Sequence, residues 1–270
     1  MNPFTLIILS ILVATAPYLY KYVIFKFTGD YNKLYSIKRK HRRMQQEMDN
    51  LLSSRFRYYA ALSPEGKNKF LARLCYVLDK VEFVGYQGLE ITDEMRTCVL
   101  FSQIQLTFGM KLFYFSIFKR YILYPESFYS RFFNRDLLGL TSAVGFVTLS
   151  WHDFQEGYLV PNDKYNLGLH EMAHALRLEL SDTFNNESLV QQMSDKMDDQ
   201  ALIEKNMVSR GVPSILREYA YTNNEEFFSV CVEYFFEVPA LLKEYKPEIF
   251  SILCRMLNQN TLNVNSDYNL

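Results

Sequence analysis

The order His170-Glu171-x-x-His174, set in Leu-Gly-Leu-His-Glu-Met-Ala-His-Ala-Leu-Arg-Leu from Leu167 to Leu178, constrains this chain more than any other stretch. Side chains four residues apart share one face of a helix, so both imidazoles reach a single ion at about 2.0–2.1 Å. Glu171 projects about 100° around the axis from His170, where a carboxylate meets the metal's water and not the metal itself. That makes it the general base. Leu167, Leu169, Met172, Ala173, Ala175, Leu176 and Leu178 cover most of the remaining circumference, which predicts a buried helix. Two adjacent imidazoles in such a place need a reason, and the chain holds only two other histidines, His41 and His152. The spelling predicts one Zn2+ per chain.

A third ligand is expected from Glu218 to Pro239. Thr222-Asn223-Asn224 reads as a cap, and Glu225 to Phe236 as a helix ending near Pro239. Glu226 and Glu233 stand seven apart, on one face. A carboxylate on so apolar a helix enters a core only with a partner, and a zinc ion is an adequate one. Two histidines and one carboxylate, with water in the fourth place, leave the open position that hydrolysis needs. Spacing alone does not choose between Glu225 and Glu226. Glu233 either orients a liganding histidine through its other ring nitrogen or pairs with an arginine.

With 270 residues, 49% of them hydrophobic, the chain is large enough for one big domain or a domain with appendages around a sizeable core, which argues against disorder. A net charge of −1 gives no global pull toward nucleic acid, and no nucleic-acid partner is expected. Cys75, Cys98, Cys231 and Cys254 lie far apart among apolar residues, without Cys-x-x-Cys spacing, as reduced core cysteines do. Pro3 to Tyr20 carries no charge, and Tyr22 to Phe25 follow Lys21. This matches the roughly 20 residues that cross a bilayer, so residues 1–26 read as a transmembrane anchor. A secretory signal is the rival, with Ala14-Thr15-Ala16 imitating a cleavage site, but no Lys or Arg precedes it. The basic flank after the span, including Lys38-Arg39-Lys40-His41-Arg42-Arg43, places the remainder in the cytosol by the positive-inside rule. Residues 27–57 then form a basic juxtamembrane helix or linker, residues 58–262 the globular domain and residues 263–270 a polar tail.

Ser63 before Pro64, and Thr92 before Asp93-Glu94, mark the starts of two amphipathic helices, with a break over Phe83 to Leu89. Tyr121 to Tyr124 reads as a short strand ended by Pro125, and Val144 to Trp151 as a second. The second strand closely precedes the histidine helix. Its Gly145, Phe146, Val147, Thr148 and Leu149 are expected to offer an edge to an extended peptide. The acidic stretch from Asp182 to Asp199 reads as a solvated loop and helix over the site.

From about Tyr58 to Asn260 the chain resembles the zinc-dependent peptidases related to the Mlc titration factor, the glucose-regulated metallopeptidases of bacteria. The matching pieces are Gly88 to Arg96, Leu149-Ser150-Trp151, Asn166 through His174, Tyr219-Ala220, Glu226 to Val230 and Glu233 to Phe236. The resemblance implies a mainly helical α+β fold with a zincin-like core, similar to that of anthrax lethal factor, in which a short β-sheet accompanies the active-site helix. It implies that His170, His174 and Glu226 hold zinc, that Glu171 is the base and that Tyr219 lies near the metal. Arg177 stands where the family usually has an aspartate. The expected activity is peptide hydrolysis by a protein anchored once in a bacterial inner membrane, its catalytic domain in the cytoplasm, acting on a peptide or protein. The competing expectation is a tethered adaptor that binds a repressor-type protein, its zinc structural or vestigial.

Overall fold

The computed structural model describes residues 39–160, 162–183 and 189–270. Helices dominate: α1 (Arg39–Arg55), α2 (Arg57–Ala60), α3 (Pro64–Leu78), α4 (Asp93–Thr107), α5 (Trp151–Leu159), α6 (Leu167–Thr183), α7 (Leu189–Ser209), α8 (Asn224–Glu237), α9 (Pro239–Tyr245) and α10 (Pro247–Leu257). Six short strands lie among them: β1 (Glu82–Gly85), β2 (Arg120–Tyr124), β3 (Phe128–Ser130), β4 (Arg135–Leu137), β5 (Gly139–Ser142) and β6 (Phe146–Ser150). This is the mainly helical α+β class that the sequence predicts.

The expected helix starts form by the expected chemistry. Ser63 accepts from the Gly66 N–H and Thr92 from the Met95 N–H, each satisfying one of the orphan donors of a first turn. Asn223 does the same for Glu226 at the start of α8. The four-stranded sheet runs β1-β2-β6-β5, with β1, β2 and β6 parallel and β5 antiparallel to β6. Strands β3 and β4 form a separate antiparallel hairpin.

Three sequence expectations are revised here. Strand β6 is flanked on both sides, by β2 and β5, so Phe146 to Leu149 have no free edge and Gly145 sits in the turn before them. The edge strands are β1 and β5, and β5 is the one packed on α6. Helix α1, expected as a juxtamembrane linker, buries Met48 and Leu52 in the core, and Phe56 just after it stacks on Phe101 with ring centroids 3.8 Å apart. Its amphipathic C-terminal half is part of the domain. The polar tail also packs: Tyr268 stacks on Tyr58 at 4.1 Å, and Asp267 accepts from the Ser63 N–H and hydroxyl, each at 2.6 Å. The anchor expected over residues 1–26 lies outside the described residues, among which no helix is long and apolar enough to cross a membrane.

The core is continuous from α1 to α10. Helix α6 lies at its centre, packed on α8, α4 and β5, with Leu169, Met172, Ala173, Ala175 and Leu176 fully buried. The sides of α6 that lack these residues are therefore the only ones free to do chemistry.

Candidate metal centre

His170 and His174 leave α6 on one face, as their spacing requires, and Glu226 meets them from the first turn of α8. One ligand atom from each lies within 4.8 Å of the others, the one such cluster among the described residues. Glu226 Oε2 lies 3.0 Å from His170 Nε2 and 3.4 Å from His174 Nε2, and the two nitrogens are 3.2 Å apart. Ligand atoms at 2.0–2.1 Å around a tetrahedral ion stand about 3.3 Å from one another. The triangle already has the size of a zinc site.

The electrostatics ask for a cation. His170 Nδ1 lies 2.7 Å from Glu233 Oε1, a buried carboxylate oxygen, so its proton is drawn to that side and the Nε2 lone pair faces the cluster. His174 Nδ1 is 3.2 Å from the Ser229 hydroxyl, which leaves its Nε2 facing inward too. Glu226 Oε2 is buried without a hydrogen-bond partner, aimed at two nitrogen lone pairs. Three electron-rich atoms in contact, with no proton of their own to share, cost free energy unless a proton or a metal enters. Burial lowers the His170 pKa, but Glu226 and Glu233 outweigh it and push the ring up to about 10. Burial raises Glu226, whereas both histidines draw it well below the usual carboxylate range. The donor set fits zinc.

Glu171 points elsewhere, as predicted from its angle. Its carboxylate lies against β5: Thr141 donates to Oε2 at 2.7 Å, and Gly139 sits so close that any Cβ there would overlap the carboxylate. Burial raises its pKa, tempered by the positive character of His170 and His174. Tyr219, on a 3-10 turn (Glu218–Tyr221), is half-exposed with its ring centroid 6.1 Å from that of His170. Burial first, then Glu226, raises its hydroxyl to about 12. These groups line a cleft of about 480 Å³ that also reaches Leu140, Arg135 and Arg177. Arg177 forms a bidentate pair with Asp198 of α7 at 2.9 and 3.0 Å, so α7 does lie over the site.

Glu233 touches both a histidine and an arginine. It accepts from His170, from the Asn166 N–H at 2.7 Å and from both terminal nitrogens of Arg217. Asn166 in turn caps α6, accepting from the Leu169 N–H at 3.0 Å. Sequence reasoning did not single out Arg217 for this, nor Gly139 and Thr141. Arg217 is two residues from Tyr219 and carries no spacing signal, and β5 is too short to show a period. A larger cavity of about 600 Å³ lies behind the start of α6, among Phe56, Trp151, Tyr158 and Glu237. Among the described residues the His170, His174 and Glu226 cluster lies in the smaller cleft.

Comparison with known proteins agrees with this geometry. The chain is 23% identical over 229 residues to an uncharacterized protein of Synechocystis, covering 75% of this chain and 80% of the relative. It is 26% identical over 223 residues to proteins named Mlc titration factor A in Yersinia pestis and Yersinia pseudotuberculosis, covering 75% of this chain and 81% of each relative. The model of the glucose-regulated metallo-peptidase M90 family matches residues 32–257, so with its His170, His174 and Glu226 cluster the chain belongs to that family.

Proposed function

We propose that this protein is a zinc metallopeptidase that hydrolyses peptide bonds, with His170, His174 and Glu226 as ligands and Glu171 as general base. The observation that carries it is the triangle of inward-facing ligand atoms at 3.0, 3.2 and 3.4 Å, beside a carboxylate held out of that triangle. A zinc ion there would supply Lewis acidity, acidifying a water and polarising a scissile carbonyl. Glu171, raised by burial and oriented by Thr141, takes the water's proton and later passes it to the departing amine. Tyr219, in the same cleft, donates to the developing oxyanion. Glu233 fixes the His170 tautomer and ring plane, and Arg217 holds Glu233. Substrate lies extended along β5, whose outer backbone groups pair with it as an added strand.

Glu171→Gln is expected to retain about one zinc per chain and to lose turnover by about 10²- to 10⁴-fold. His174→Ala is expected to lose the metal as well. Parental activity in Glu171→Gln would remove the assignment.

The name of the Yersinia relatives favours a second reading, in which the chain binds a repressor-type protein such as Mlc. Peptide hydrolysis that stops on chelation and returns with zinc separates the two. The uncharged run from Pro3 to Tyr20 supports an anchor in a bacterial inner membrane with the catalytic domain in the cytoplasm. Sedimentation of the full chain with membranes, resistant to high salt, tests it.

A further inference from the structure

The β3–β4 hairpin turns one face to the cleft. Arg135 and Leu137 of β4 line it while Asp136 between them does not, as strand alternation requires, and Phe133 joins them from the turn. Two arginines reach this cleft, and they differ in what they do. Arg177 is committed to Asp198 at 2.9 Å and lies 3.7 Å from Glu225. Arg135 is exposed, with no ion pair or hydrogen bond to its side chain among the described residues. It lines the same cleft as Glu171, Tyr219 and Glu226. The hairpin leads through Leu138 directly into the edge strand β5, and Phe133 and Arg135 line one cleft with Gly139, Leu140 and Thr141 of that strand.

We propose that Arg135 selects substrates carrying a carboxylate next to the cleaved bond, either an acidic side chain or a free C-terminus, with Phe133 and Leu137 covering the apolar part of the same segment. The proposal rests on the cleft being the peptide site argued above. A guanidinium offers paired donors that match a carboxylate, and beside a partly desolvated cleft such a contact is charge-assisted.

Binding to full-length, zinc-loaded Glu171→Gln protein tests this without turnover. Dye-labelled peptides of alanine and glycine carry one Glu, Gln or Lys, each with a free or an amidated C-terminus, and fluorescence anisotropy reports Kd. The Glu peptide should bind about tenfold more tightly than the Gln peptide if a side chain is read, and the free C-terminus more tightly than the amide if the terminus is read. Adding Arg135→Gln should bring the preferred ratio close to one, and Arg135→Glu should favour the Lys peptide. Equal affinity for all peptides, or a preference that survives Arg135→Gln, overturns the proposal. A carboxylate preference lost in Arg135→Gln upholds it even where the parent cleaves none of these peptides, and that failure would count against the peptidase reading alone.

Discussion

Gly139 is where backbone and chemistry come closest. Only a hydrogen fits between its Cα and the Glu171 carboxylate, which Thr141 holds from the same strand. Gly139→Ala must push either the strand or the base aside. We expect turnover to fall by about 10²-fold, since a displacement of about 1 Å has that cost, while bound zinc stays at one per chain. A kcat within twofold of the parent would show that Glu171 is not held by β5. His170, Glu171 and His174 were legible because their relation is local, fixed by the helical period. Gly139 was not, because its constraint comes from a residue 32 positions away that only the fold brings near. Glu226 lay between: its helix and cap were readable, and its choice over Glu225 required the resemblance.

At the level of elements, α6 and α8 are joined behind the site by Glu233, Asn166 and Arg217. Arg217→Ala leaves Glu233 buried with less compensation and His170 less firmly oriented. Zinc affinity should drop by about 10- to 100-fold, measured by competition with a chromogenic chelator. The end of α8 carries a different device. Burial raises Glu237 to about 8, against an ordinary 4.5, despite hydrogen bonds from Asn166 and the Lys164 N–H. Between those values the folded protein keeps a proton that the unfolded chain has released, so this group's contribution to stability falls as pH rises through that window. Glu237→Gln should therefore flatten the dependence of Tm on pH between pH 5 and 8, with its gain over the parent largest at the alkaline end. The helix starts at Ser63, Thr92 and Asn223 were readable from single residues because caps are local chemistry. Strand β1 was hidden in a stretch read as a break, since Gly85 and Gly88 flank its end and Gly88 turns at φ +81°. Sheet order has no local signal, so nothing in the sequence around β6 shows that β2 and β5 flank it.

Across the whole molecule, the domain extends beyond its expected limits at both ends. The tail secures the start of α3 through Asp267 on Ser63, and α2 through Tyr268 on Tyr58. Truncation after Asn260 should lower Tm by on the order of 5–10 °C, from a lost aromatic stack and a lost cap support. A shift under about one degree would make the tail an appendage. Asp267 pairs with Ser63, 204 positions away, and α1 packs on α3 and α4, so no local window displays either contact. The ligand triangle has a mechanical consequence as well. His174 and Glu226 belong to segments 52 positions apart, and the four cysteines remain separate free thiols. An ion shared by α6 and α8 would therefore brace the chain as a disulfide does elsewhere, closing a loop whose entropy is worth about 4 kcal/mol. Stripping that brace would first slacken the span it closes, and new protease cuts between residues 189 and 217, with the sheet still intact, would be its earliest mark.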